Sequence, residues 1–182
     1  MAAESGKKTG LSFVEFTSDG KLKRPSPEIF RKWIYVGTPL TPNDMNDGEA
    51  PFPEFHSVYI DPGSYADFEK TGVYPDGTVI VKELISVGSK DATSGKGYFM
   101  GDFIGLEMTI KDSARYKDEP GMWGYYSFGH KYPLKDEISM NKAASCNACH
   151  EKNLTHPQNL GKDWTFEQYY PVLRAARAAV KK

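Results

Sequence analysis

The chain has 182 residues, 39% of them hydrophobic and 26% charged, and a net charge of −1. This length fits one domain, and the balanced composition excludes a disordered chain and gives no support to nucleic-acid binding. Its uncharged apolar runs, such as residues 79–81 and 103–106, are far shorter than the ~20 residues of a membrane-spanning helix, so we expect no membrane span.

The first 25 residues are polar and rich in Gly, Lys and Ser, which predicts a loose N-terminal arm before one folded domain over residues 26–182. The first five residues have no basic segment followed by an apolar stretch, so an intact signal peptide is not predicted. Small residues behind an initial Met suit an exported protein whose leader was removed and replaced by a start codon. A cytosolic protein with a frayed N-terminus is the alternative.

The next segment predicts a short helix followed by a long loop. Ser26 and Pro27 suit a helix start, and apolar residues spaced by three to four follow, up to Gly37, which ends the predicted helix. Residues 38–53 contain four prolines and several turn-forming pairs, so they predict a long loop. Loops of this length are often functional.

The middle and the end of the chain predict an antiparallel sheet with a few peripheral helices, an α+β fold that is mostly β. Residues 55–60 predict a strand, and residues 61–70 predict a short helix that Gly72 ends. The two longest strand patterns, residues 78–87 and 98–111, predict an antiparallel hairpin. Further patterns predict an aromatic strand at residues 123–128 and, after a capping box at residues 165–168, a C-terminal helix.

The segment from Cys146 to His150 is a Cys-x-x-Cys-His signature, which is typical of c-type haem attachment. Each of the two thiols can add to one haem vinyl group, and the adjacent histidine then becomes the axial ligand of the iron. We therefore expect one covalent haem c per chain, bound by Cys146, Cys149 and His150, with the haem packed against the sheet.

Two other interpretations use the same residues. One is a zinc site in which His156 joins Cys146, Cys149 and His150, and the other is a redox dithiol of the thioredoxin type. Structural zinc usually draws on two well-separated ligand pairs, and a redox dithiol usually opens a helix in a βαβ unit, which this sequence does not predict. Haem attachment is the favoured interpretation.

Several residues near the predicted strands are candidates for the walls of a haem pocket. Phe52 and His56 are the ones we select, because Phe52 lies near a predicted strand and His56 shares a strand face with Val58 and Ile60. A satisfied histidine in the core or at the surface is the alternative for His56. Ordinary core packing is the alternative for each aromatic residue in this set, which comprises Phe52, Phe55, Phe99, Phe103 and Phe128.

Lys82 interrupts the most apolar of the predicted strands, where it shares a face with Ile80 and Leu84. A charge at such a position commonly protects an edge strand against aggregation. If this face instead covers a haem, desolvation lowers the pKa of the lysine and makes its amine a nucleophile toward the porphyrin.

The sequence resembles the cytochrome P-460 family of periplasmic c-type haem proteins, from about Trp33 to the C-terminal helix. Eight segments in the same order carry the resemblance: residues 36–39, 43–51, 58–62, 76–78, 81–84, 97–107, 146–150 and 169–174.

The resemblance implies a homodimer with a mostly antiparallel β fold, a five-coordinate haem and an electron-accepting partner cytochrome. It also implies oxidation of hydroxylamine, with nitric oxide as a reactant and nitrous oxide or nitrite as products. A lysine of the family is bonded to a haem meso carbon, and Lys82 matches it. The related cytochromes c′-beta lack this bond and bind nitric oxide or carbon monoxide without turnover.

One feature departs from the family pattern. Active members are expected to carry a carboxylate just before the haem signature as a proton acceptor, whereas residues 141–145 contain no acid. Asp136 and Glu137 are the nearest acids, and we take Glu137 as the first candidate base. Glu107 and Asp112 are the further candidates, and a structural role is the alternative for both.

A third function is electron transfer by a haem whose iron has a sixth, methionine ligand. Methionine is more often a flexible filler of hydrophobic cores, so the sequence gives this function little support. The candidate ligands are Met100, Met108, Met122 and Met140.

Overall fold

The computed structural model of the chain describes residues 10–141, 143–159 and 163–180. The strands are β1 (Leu22–Lys23), β2 (Ile34–Gly37), β3 (Phe55–Ile60), β4 (Val79–Val87), β5 (Asp91–Ala92), β6 (Gly95–Lys96), β7 (Met100–Lys111), β8 (Trp123–Gly129) and β9 (Glu137–Ile138). The α-helices are α1 (Pro27–Phe30), α2 (Pro62–Thr71), α3 (Ala143–Leu154) and α4 (Pro171–Val180).

The main sheet has five strands in the order β2-β3-β4-β7-β8, and every neighbouring pair is antiparallel. The predicted hairpin of β4 and β7 and the mostly β class are therefore confirmed. β4 is the central strand, because β3 and β7 pair with its two sides. Lys82 on β4 therefore does not lie on an edge strand, and the interpretation that it protects such a strand against aggregation is wrong.

The two faces of the sheet carry separate hydrophobic clusters, because successive side chains of a strand point to opposite faces. The first face includes Val81, Met108 and Tyr126 and is covered by the N-terminal segment and α1. The second face includes Ile60 and Tyr125 and is covered by α2 and α4, with part of α3 packed against it.

Residues 10–25 pack onto the first face, so the loose arm predicted there is wrong. Leu22 is fully buried and pairs with Ile138 of β9. The ring of Phe13 lies 5.4 Å from that of Trp33. A few apolar side chains anchor this segment, although its overall composition is polar. Residues 1–9, the rest of the predicted arm, lie outside the described residues.

Two predicted helices differ from the structure at their ends. α1 begins as predicted, where the Ser26 hydroxyl accepts a hydrogen bond from the Glu28 amide at 3.3 Å, but it ends at Phe30. The apolar residues that follow form β2, whose pairing with β3 replaces the expected helix. The helix predicted after residue 168 begins at Pro171, and the side chain of Gln168 bonds Asn153 instead of completing a capping box.

α2 agrees with the prediction. The Asp61 carboxylate accepts a hydrogen bond from the Ser64 amide at 2.8 Å, and Gly72 ends the helix with a φ of 69°. Phe68 of this helix is fully buried, which contributes roughly 2 kcal/mol of stability. None of the helices in the described ranges is long and apolar enough to span a membrane.

A buried ion pair on the first face gives a stability prediction. Glu83 is only 2% exposed, and Arg31 donates a hydrogen bond from Nη2 to its Oε1 at 2.5 Å. Removing one partner of a fully buried pair costs ~3–5 kcal/mol. Because the Arg31 side chain is 40% exposed, we expect Arg31→Ala to lower the free energy of unfolding by about 2 kcal/mol, measured by chemical denaturation.

Arg24→Ala is the matched control, because the Asp136 side chain in its ion pair is 89% exposed. Exposed pairs contribute ~0–1 kcal/mol, so this variant should stay close to the wild type. Equal losses in the two variants would contradict the role assigned to the Arg31–Glu83 pair.

Candidate functional site

The haem signature lies on α3, where the spacing of its residues places both thiols and the histidine on one side of the helix. Cys146 packs against the second-face cluster, and the Asn141 side chain donates a hydrogen bond to its Sγ at 3.4 Å. Asn153 donates from Nδ2 to the Thr165 carbonyl at 2.7 Å and so anchors α3 to the following segment. Cys149 is exposed.

The His150 ring is held between two aromatic rings, with centroids 4.5 Å from Tyr125 and 4.6 Å from Phe166. Its Nδ1 donates a hydrogen bond to the Trp164 carbonyl at 2.5 Å. Burial lowers the pKa of His150 to about 4, although this carbonyl favours the protonated ring. The ring is therefore neutral at neutral pH, with its proton on Nδ1 and the Nε2 lone pair available to a metal.

Lys82 and Glu107 lie directly opposite each other on β4 and β7, and Lys82 Nζ forms an ion pair with Glu107 Oε2. Both side chains are half-buried. The charge of Lys82 contributes to the lowered pKa of His150, and that of Glu107 opposes it. Both charges therefore lie within electrostatic range of an imidazole that is distant in sequence.

His130, which the sequence did not indicate, completes this charged cluster. Its Nε2 lies 3.0 Å from Glu107 Oε1. Burial raises the pKa of Glu107, but the hydrogen bond from His130 and the charge of Lys82 outweigh it and lower the value to about 2. A register shift between β7 and β8 precedes His130, and such bulges re-aim side chains. No spacing pattern in the sequence marks this residue.

Phe52 and His56 also lie near Lys82. The Phe52 ring centroid is 5.7 Å from Lys82 Nζ and 6.2 Å from the His56 ring. His56 Nε2 lies 3.7 Å from Oε1 of the buried Glu54. Phe52 remains 45% exposed. The structure thus brings both predicted wall residues to the Lys82–Glu107 pair.

Glu137 is not part of this cluster. It lies on β9, which pairs with β1, and its exposed carboxylate forms an ion pair with Lys21 at 3.1 Å. The neighbouring Ile138 packs against the first-face cluster, on the opposite side of the sheet from Lys82. Asp112, the remaining candidate base, accepts hydrogen bonds from the backbone amides of residues 114 and 115.

The zinc site and the methionine-ligated haem considered from the sequence find little support in the described part of the chain. There, no group of three or more His, Cys, Asp and Glu residues is arranged to hold a metal ion. His156 Nδ1 accepts a hydrogen bond from the Gln158 amide at 3.2 Å. Met108 and Met140 pack in the first-face cluster, and Met100 and Met122 are exposed at the surface.

The donor set fits a haem group. α3 offers two thiols and a neutral imidazole beside the second face, and Asn147 between the thiols is buried with no partner for its side-chain amide among the described residues. Buried amides without partners are costly, so a bound polar group would stabilise this site. Fold and donor set together define a haem-binding domain.

The profile of the family described as cytochrome P-460 matches residues 27–167, so the chain belongs to the cytochrome P-460 family. It is therefore a haem protein from a family known for haem-based redox activity. A comparison with curated proteins gave no match.

The hydrogen bond between His130 and Glu107 predicts a pH dependence of stability. It raises the pKa of His130, which burial only partly offsets. This stabilising contribution is complete below the unfolded-state pKa of ~6.5 and is lost as pH rises through the higher folded-state pKa. As pH rises from the unfolded-state pKa of His130 through its folded-state pKa, the free energy of unfolding of the wild type should fall relative to that of His130→Asn. Denaturant unfolding of the two haem-loaded proteins measures this difference. A constant difference between the two proteins would exclude this coupling.

Proposed function

We propose that this protein oxidises hydroxylamine, with nitric oxide as a reactant and nitrous oxide or nitrite as products, at a five-coordinate haem c bonded to Lys82. The observation that carries the proposal is the position of Lys82, half-buried on the central strand, paired with a carboxylate and within electrostatic range of His150. The family resemblance assigns a haem-bonded lysine to this same position.

The chain's own residues would hold the cofactor as follows. Cys146 and Cys149 would form its two thioether bonds and His150 would supply Nε2 to the iron, beside the second face of the sheet. When bound, the haem supplies an open coordination position for a nitrogen ligand and a route for the released electrons. Phe52 and His56 line the side of the site that holds Lys82.

Glu107 is the proton acceptor of this proposal, in place of Glu137. A base must lie within hydrogen-bond reach of the proton that it removes, and Glu107 is the candidate acid that contacts Lys82. The ammonium charge of Lys82 helps to hold the pKa of Glu107 at about 2. Bonding of Nζ to the porphyrin removes this charge, so the pKa of Glu107 rises and the carboxylate becomes a better base.

His130 provides a route for the proton to leave the site. Its Nε2 faces Glu107, and its side chain is 44% exposed. Its Nδ1 lies 3.6 Å from Oε1 of the buried Glu54. When His130 is neutral and carries its proton on Nδ1, its Nε2 accepts the proton held by Glu107, and the ring then releases the Nδ1 proton to solvent.

Hydroxylamine-dependent reduction of an electron acceptor by the haem-loaded protein tests the proposed activity, and an absorption spectrum tests its haem. We expect turnover and a broadened, strongly red-shifted Soret band. The alternative function is a gas-binding protein of the cytochrome c′-beta type. It predicts an ordinary five-coordinate spectrum and binding of nitric oxide or carbon monoxide without turnover. Sharp reduced bands of a six-coordinate haem would instead indicate an electron-transfer cytochrome.

The assignment of the base predicts that Glu107→Gln lowers kcat/KM for hydroxylamine by roughly 10²–10⁴-fold, the usual contribution of general base catalysis. Nitric oxide binding should persist, because the amide leaves the iron ligand unchanged. Glu137→Gln is the matched control and should retain full activity, since Glu137 lies on the opposite side of the sheet. A larger loss in Glu137→Gln than in Glu107→Gln would reverse the assignment.

We further propose a periplasmic homodimer that passes its electrons to a partner cytochrome, as the family resemblance implies. Sedimentation of the haem-loaded protein tests the homodimer, and fractionation of the native cells tests the periplasmic location. Recovery of the protein as a monomer, or from the cytosol alone, would contradict them.

A further inference from the structure

Two donors share the carbonyl oxygen of Trp164. His150 Nδ1 donates to it at 2.5 Å, and the hydroxyl of Tyr125 donates to it at 3.1 Å. Tyr125 is only 8% exposed and its ring also packs against that of His150, so this contact is screened from water. The carbonyl oxygen that orients His150, the candidate iron ligand, therefore also accepts a hydrogen bond from Tyr125 of the sheet.

The shared carbonyl belongs to a segment that is firmly anchored. Asp163 accepts hydrogen bonds from Trp123 Nε1 at 2.9 Å, from Lys111 Nζ at 3.3 Å and from the Trp164 amide at 2.6 Å. Gly121 approaches the Trp164 indole so closely, at a φ of 64°, that an added Cβ would lie 2.3 Å from a ring carbon. The carbonyl cannot readily turn away from either donor.

We propose that Tyr125 is a positioning residue that sets the basicity of His150 through the Trp164 carbonyl. Two donors on one oxygen draw on the same electron density, so the tyrosine hydroxyl weakens the hydrogen bond from Nδ1. A weaker bond at Nδ1 makes Nε2 a poorer electron donor to a metal, and such outer contacts tune both metal affinity and redox potential. Tyr125 therefore keeps the reduction potential of the bound iron higher than His150 and the carbonyl alone would.

Tyr125→Phe tests this inference on the haem-loaded protein, without any substrate. The substitution keeps the ring that packs on His150 and removes only the hydroxyl. We expect a lower reduction potential and a higher iron–histidine stretching frequency in the resonance Raman spectrum of the ferrous protein. Neither change depends on hydroxylamine oxidation, so a failed activity assay leaves this test valid.

Tyr126→Phe is the matched control. Its hydroxyl also makes a buried hydrogen bond, to that of Tyr116 at 2.6 Å, but lies on the first face away from His150. We expect this variant to keep the wild-type potential and stretching frequency, even if it loses stability. An unchanged or raised potential in Tyr125→Phe, or parallel shifts in the two variants, would overturn the inference.

Discussion

Lys82→Ala should abolish hydroxylamine-dependent turnover and restore the spectrum of an ordinary five-coordinate haem c, while nitric oxide still binds. The additional bond to the porphyrin distorts the ring and changes its electronics, which are among the ways in which a protein controls haem reactivity. Glu107 keeps its hydrogen bond from His130, so the variant should fold with its haem attached. Absorption spectra and turnover measured on one preparation check both outcomes.

Lys90→Ala is the matched control for this substitution. Lys90 also pairs with a carboxylate, Asp44 at 2.7 Å, but its side chain is 59% exposed. This variant should keep the red-shifted spectrum and full activity. Full turnover in Lys82→Ala, or an identical spectrum in Lys82→Ala and the wild type, would contradict the proposed role of the lysine.

Cys146→Ala combined with Cys149→Ala should eliminate covalent haem completely in a chain that also carries Lys82→Ala, because the proposed bond from Lys82 is then absent as well. Thioether bonds survive denaturation, whereas haem held only by His150 is released when the chain unfolds. A denaturing gel stained for haem should therefore show a stained wild-type band and no stain in this triple variant. Each single variant should retain one thioether bond and remain stained.

The same gel separates haem attachment from the alternatives at these residues. Release of all porphyrin from the wild type on unfolding in acid would contradict covalent attachment. Stained haem in the triple variant would show that residues other than Cys146, Cys149 and Lys82 attach it. Zinc in the purified wild type together with absence of haem would favour the zinc site considered from the sequence.

The sequence predicted those parts of the fold and site that depend on neighbouring residues. The Val- and Ile-rich β4 and its hairpin partner β7 follow from strand composition, and the face of Lys82 follows from alternation along one strand. The haem signature is likewise contained in five consecutive residues.

The features that the sequence did not predict depend on pairing between distant segments. Ile34 and Val36 suit a helix or a strand by apolar content alone, and their pairing with β3 decides the outcome. The choice of Glu107 over Glu137 depends on the register between β4 and β7, which places Glu107 opposite Lys82. The Trp164 contact uses a backbone carbonyl, which any residue possesses, so no sequence pattern marks it.

Peptide mass spectrometry of the protease-digested, haem-loaded protein tests the central claim most directly. If Lys82 is bonded to the haem, its peptide is recovered joined through the porphyrin to the peptide that contains Cys146, Cys149 and His150. The Lys82→Ala digest supplies the reference, in which haem remains on the cysteine peptide alone. Recovery of the wild-type Lys82 peptide entirely free, from protein that does not oxidise hydroxylamine, would contradict the account and favour the gas-binding alternative.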